Sequence, residues 1–86
     1  MNELPMTQKI RLNLSIQGRR TSIALEAGVW DCLTEICRRE ELSLDELCDE
    51  IISESEGISM ASAIRICALE YFRKLRDRRS DTRSAA

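Results

Sequence analysis

Between Ile10 and Leu25 apolar and polar residues alternate with a single interruption, and from Glu26 onward the apolar spacing changes to that of a helix. In the first run, Ile10-Arg11-Leu12-Asn13-Leu14-Ser15-Ile16, a period of two puts Ile10, Leu12, Leu14 and Ile16 on one face of a strand. Arg11, Asn13 and Ser15 fall on the other face. Gln17-Gly18-Arg19 is a short turn signal. In the second run, Arg20-Thr21-Ser22-Ile23-Ala24-Leu25, Thr21, Ile23 and Leu25 share one face, and Arg20, Ser22 and Ala24 share the other. Two strands alone do not hold together in water. The rest of the chain must therefore supply a platform for their apolar faces.

The helical patterns that follow fit that role. Trp30, Leu33 and Cys37, with Val29 and Ile36 beside them, form one buried stripe. Ser43-Leu44-Asp45-Glu46 is a capping box, in which the Ser43 hydroxyl takes a first-turn amide and Glu46 reaches back. Behind it, Leu44, Leu47, Cys48, Ile51 and Ile52 give the cleanest amphipathic helix of the chain. Gly57 breaks it, and Ser59 caps a third helix predicted to run to about Arg79. There Met60, Ile64, Cys67, Ala68, Tyr71 and Leu75 form a stripe, while Ile66, Leu69 and Phe72 spread apolar surface around most of the circumference. A helix apolar on nearly all sides is buried on nearly all sides. A chain of 86 residues is too short to cover it alone, because small domains bury little of their surface. The expectation is a dimer core. The domain reading is a disordered lead-in over 1–9, one folded domain over 10–79 and a flexible tail over 80–86.

Composition narrows the functional classes. The net charge of −2 conceals a division: Met1–Leu25 sums to +3, Glu26–Ile58 to −9 and Ser59–Ala86 to +4. A surface for nucleic acid should therefore come from the N-terminal segment. The four cysteines, Cys32, Cys37, Cys48 and Cys67, lie in helical stretches without a Cys-x-x-Cys pair, and the chain has no histidine. That pattern speaks against a zinc site and for cysteines that act as small hydrophobes in a reducing cytoplasm. No signal segment is expected before the domain, and no apolar run approaches the ~18 residues that span a membrane. The pairs Asp45/Glu46 and Asp49/Glu50 share helix faces at i, i+4. With no histidine, phosphate loop or activated nucleophile near them, they read as a solvated face. The expectation is a non-enzymatic protein with no metal and no cofactor.

The order of elements resembles the ribbon-helix-helix (Arc/MetJ-like) family, in the subgroup with a strand hairpin before the first helix and a helix added after the second. The resemblance rests on Arg20-Thr21-Ser22-Ile23-Ala24-Leu25-Glu26, Trp30 and Leu42-Ser43-Leu44, and covers Ile10 to about Phe72. It implies an α+β, mostly helical fold and an intertwined homodimer. One strand from each subunit would form a ribbon that enters the major groove of double-stranded DNA. The implied base-contacting residues are Arg20, Ser22 and Ala24. Arg19, with Ser43 and Leu44 at the positive end of the second helix, would contact phosphate, and Arg11 and Asn13 are additional DNA contacts. Two positions depart from the family pattern: Ala24 replaces a polar or basic reader, and Glu41 stands where glycine is common. The implied function is a cytoplasmic transcriptional regulator, a repressor, that binds DNA as a dimer or as stacked dimers. The alternative is a dimeric protein–protein adaptor or an antitoxin that uses the same fold.

Overall fold

The computed structural model describes residues 5–85, with side chains for 5–78. Residues 1–4 of the lead-in and residue 86 of the tail lie outside the described residues. The order is β1 (Lys9–Ile16), β2 (Arg19–Glu26), α1 (Ala27–Glu40), α2 (Leu44–Ser53) and α3 (Met60–Ala85). The third helix thus continues past the expected end near Arg79, through a stretch with no glycine or proline to stop it.

β1 and β2 form an antiparallel hairpin whose pairs run from Ile16↔Arg19 at the turn to Lys9↔Glu26 at the open end. Gln17 and Gly18 make the connection with φ of 52° and 77°. Two positive φ values give the turn whose twist matches that of the strands. Glycine takes this conformation freely, whereas Gln17 does so at some cost. The Gln17 amide donates to Asp49 Oδ1 at 2.7 Å, which fastens the hairpin tip to α2.

The alternation reads through to burial as expected. Leu14, Ile16, Ile23 and Leu25 are buried on one face, and Ile10 and Leu12 pack at its margin. Against them lie Trp30, Leu33 and Ile36 of α1, Leu47, Cys48 and Ile51 of α2, and Ala63, Ile64 and Ala68 of α3. Trp30 is a core anchor with its one polar atom satisfied: Nε1 donates to the Ile10 carbonyl at 2.8 Å, joining α1 to β1. Burial also pushes the Cys48 thiol up to about 12, so it behaves as a small hydrophobe. All four cysteines are free thiols.

The helix ends account for their orphan backbone groups. α1 begins without a side-chain cap at Glu26. Instead, the Ala27 and Gly28 amides donate to the carbonyls of Gln8 (2.8 Å) and Met6 (2.9 Å), within the lead-in. A Cβ at Gly28 would sit 3.4 Å from the Met6 carbonyl oxygen, a close but ordinary contact, so the approach does not require glycine. At the other end Glu41 is left-handed (φ 57°, ψ 48°) and the Leu42 amide closes onto the Cys37 carbonyl at 3.0 Å. The capping box of α2 is complete: Glu46 N–H donates to Ser43 Oγ at 3.1 Å, and Ser43 N–H to Glu46 Oε1 at 2.8 Å. Ser59 Oγ accepts from the Ser62 amide at 3.1 Å and caps α3.

α3 is tied down by a fork from Arg65 onto Glu26 (3.0 and 3.1 Å) and by Tyr71 Oη donating to Glu40 Oε2 at 2.7 Å. The Arg65 guanidinium holds the Glu26 carboxyl below the usual carboxylate range. Among the described residues, α3 is covered by its own chain on one side only. Ile66 and Leu69 remain 52% and 68% exposed.

Candidate nucleic-acid interface

The outward face of the hairpin collects most of the residues singled out from sequence. Arg11, Asn13 and Ser15 of β1 and Arg20 and Ser22 of β2 are exposed there, and Ala24 is half-buried among them. The register sets Arg20 opposite Ser15, Ser22 opposite Asn13 and Ala24 opposite Arg11. Arg11 Nη1 donates to Ser22 Oγ at 3.3 Å, across the strands. Arg19 is exposed at the turn, but by alternation it belongs to the opposite face from Arg20.

The basic side chains of this face make no ion pair among the described residues, although Asp45 of α2 lines a depression with Arg20. Elsewhere four arginines are spent on the chain's own carboxylates: Arg38 and Arg39 on Glu35, Arg65 on Glu26 and Arg73 on Glu70. Among the described residues no carboxylate pairs with Arg11, Arg19 or Arg20. Their positive charge is directed outward and is available to an anion.

The first turn of α2 lies beside this face. A depression of about 180 Å³ is lined by Asn13, Leu14, Ser15, Arg20 and Asp45. The Ser43 amide, one of the groups expected to hold phosphate, already donates to the Glu46 carboxylate. The Leu44 amide, one residue further in, has no acceptor within its own helix. Sequence reasoning identified the capping box but not that its carboxylate occupies an amide expected to hold phosphate.

Two further features bear on assembly. The sheet has two strands, so β2 has an edge that no strand covers among the described residues. A two-residue turn makes Ile16/Arg19 a hydrogen-bonded pair, and such pairs recur every second residue. The backbone groups of Arg20, Ser22 and Ala24 therefore point to the open side. The second feature is an apolar groove of about 540 Å³ between α1 and α3, walled by Met6, Val29, Cys32, Ala68, Leu69 and Phe72. Exposed Leu69 stands on its rim.

Among the described residues no cluster of three or more His, Cys, Asp or Glu side chains could hold a metal ion. No described helix is long and apolar enough to cross a membrane.

Residues 9–72 match the ribbon-helix-helix domain. The fold is similar to a solved structure of an uncharacterized protein from Bordetella pertussis Tohama I. The TM-score is 0.73 and the identity 25%, over 86% of this chain and 63% of that one. The chain thus spans less than two thirds of that protein's length. No curated protein matches the sequence.

Proposed function

Because the chain belongs to the ribbon-helix-helix domain family, we propose that it is a dimeric, sequence-specific DNA-binding regulator, a repressor, that presents β2 of each subunit to the major groove. Members of this family are commonly DNA-binding regulators or antitoxins. The observation that carries the reading is the β2 strand itself. Among the described residues its outer edge is covered by no strand, and Arg20 in its outward row of Arg20, Ser22 and Ala24 makes no ion pair with a carboxylate.

Joined edge to edge, two β2 strands make an antiparallel ribbon, and the apolar groove beside Leu69 is covered by the second copy. Strands ~4.8 Å apart put four abreast over ~14 Å, counting the flanking β1 strands, against a groove ~12 Å wide. The central β2 pair enters, and the two β1 strands ride along the rims. Arg20 and Ser22 then meet base edges, Ala24 faces a thymine methyl or a gap, and Arg19 lies near the flanking backbone. Phosphate binding by the amides of Ser43 and Leu44 requires the Glu46 carboxylate to leave the Ser43 amide. Asn13, paired with Ser22, contributes a further polar contact. Dimers can stack along longer sites. No cofactor, metal or catalytic step enters the mechanism, and the compartment is the cytoplasm.

The competing reading, an adaptor or antitoxin that engages a basic protein, draws on the −9 balance of Glu26–Ile58. Fluorescence anisotropy separates the two, using the DNA upstream of the protein's own gene against a scrambled duplex at two salt concentrations. A regulator prefers the upstream DNA, weakens steeply with salt as counterions are released, and loses ~1–3 kcal/mol with Arg20→Ala. A folded dimer that ignores both duplexes at low salt refutes the DNA reading.

A further inference from the structure

Ala24 is the one uncharged, non-hydrogen-bonding side chain among the three outward residues of β2, and it should leave a gap in the reading row. It is also less exposed than its neighbours. Arg11, Asn13, Ser15, Arg20 and Ser22 are all exposed on the same face, while Ala24 is half-buried. The side chain placed to cover it is Arg11, its direct cross-strand partner. By the turn register this is a non-hydrogen-bonded pair, the kind in which facing side chains lie closest. The Arg11 guanidinium ends on Ser22 Oγ at 3.3 Å, two residues along β2. The side chain thus crosses from β1 to the β2 row on the face that Ala24 shares. A larger residue at 24, directly opposite Arg11, would stand beside that path.

We propose that Arg11, reaching over from the outer strand, supplies the basic reader that Ala24 lacks. This rests on the DNA-reading function proposed above. The chemistry it would recognise is a guanine edge, where a guanidinium fork meets O6 and N7 together. The contact also fixes the role of Ser22. Its oxygen accepts from Arg11, so its own proton is free to donate to a base acceptor such as a purine N7 or thymine O4. Arg11 and Ser22 act as one unit, with the small Ala24 beside them.

The test is selection from a random duplex library with wild type, Arg11→Ala, Arg11→Lys and Ser22→Ala, followed by affinities for the selected site and its single-base variants. Arg11 is exposed, and circular dichroism checks that each variant keeps the fold. Wild type should select a fixed guanine in each half-site. Arg11→Ala should lose preference for that guanine by about 5- to 150-fold, the equivalent of ~1–3 kcal/mol. Arg11→Lys should keep the salt dependence but lose part of the preference, because an ammonium can donate to O6 and N7 yet lacks the planar fork. If Arg11→Ala weakens all sequences equally and lowers the salt slope by about one, Arg11 is a phosphate clamp on the groove rim and the proposal is overturned. The same holds if Arg11→Ala selects the wild-type site unchanged. If wild type itself selects nothing, the DNA-reading function has failed, a result distinct from either of those.

Discussion

Glu41 offers a direct test of how the α1–α2 junction is made. Its φ of 57° and ψ of 48° lie in the left-handed region, its side chain is exposed, and the turn is closed by the Leu42 amide on the Cys37 carbonyl. A non-glycine residue held there costs ~1–2 kcal/mol relative to a right-handed conformation. Glycine escapes that cost but brings ~0.4–1 kcal/mol of extra freedom to the unfolded chain. Taken at the middle of both ranges, the difference leaves Glu41→Gly stabilising by about 0.5–1 kcal/mol. At ~4–8 °C per kcal/mol for a domain of this size, that is a rise in Tm of about 2–8 °C. Glu41→Ala is the necessary control, since it removes the same carboxylate from an acidic stretch but keeps the Cβ. Thermal unfolding followed by circular dichroism, at one protein concentration because the proposed dimer would make Tm concentration-dependent, compares the three proteins. The reasoning is refuted if Glu41→Ala gains as much as Glu41→Gly, which would assign the effect to charge, or if Glu41→Gly gains nothing.

Other expectations concern the core, the ion pair, the anion site and the groove. Trp30→Phe removes the donor to the Ile10 carbonyl and leaves a small void, and it should lower the urea midpoint by the equivalent of ~1.5–3 kcal/mol; a loss under ~0.5 kcal/mol would mean the bond holds nothing. The Glu26 carboxyl lies below its ordinary 4.5 through its bond to Arg65, so its contribution is present above pH 4.5 and lost as pH falls through the lowered value. Arg65→Met should therefore flatten the acid side of the stability–pH curve, and an unchanged curve would show that the pair is not coupled to folding. Glu46→Gln should tighten DNA binding a few-fold if phosphate approaches the start of α2, because a competing charge is removed; equal affinity would clear the Ser43 and Leu44 amides of that role. Leu69→Asp, on the rim of the α1–α3 groove, should shift the protein toward monomer in light scattering, and a full dimer would place the interface elsewhere.

The local rules were legible in the sequence, and the long-range pairings were not. Alternation assigned the faces of both strands correctly because side-chain direction in a strand depends only on parity. The Ser43–Glu46 box was readable because both partners lie within one helical turn. Alternation also identified the three outward residues of β2. It could not show that Arg11 crosses to Ser22, since that depends on the hairpin register. Nor could it pair Arg65 with Glu26, 39 residues away, or give Asp49 an amide to hold at Gln17. From the sequence alone Asp49 reads as part of a solvated face. The start of α1 was opaque for a different reason: its cap is made by the backbone carbonyls of Met6 and Gln8, and carbonyls leave no mark in a sequence. The third helix was read as buried all round, and the single chain leaves Ile66 and Leu69 open. The pattern recorded apolar surface without saying which chain covers it.

The hairpin is held at both ends, at its tip by Asp49 and at its base by Trp30 and Arg65. A strand pair fixed in this way has little freedom left to surrender when it meets a ligand. Recognition through this face would then carry a small ordering penalty, unlike that of a segment that folds on contact. Calorimetry would see a heat-capacity change set by the area covered at the interface. Base substitutions in the site would change how long the complex lasts more than how fast it forms.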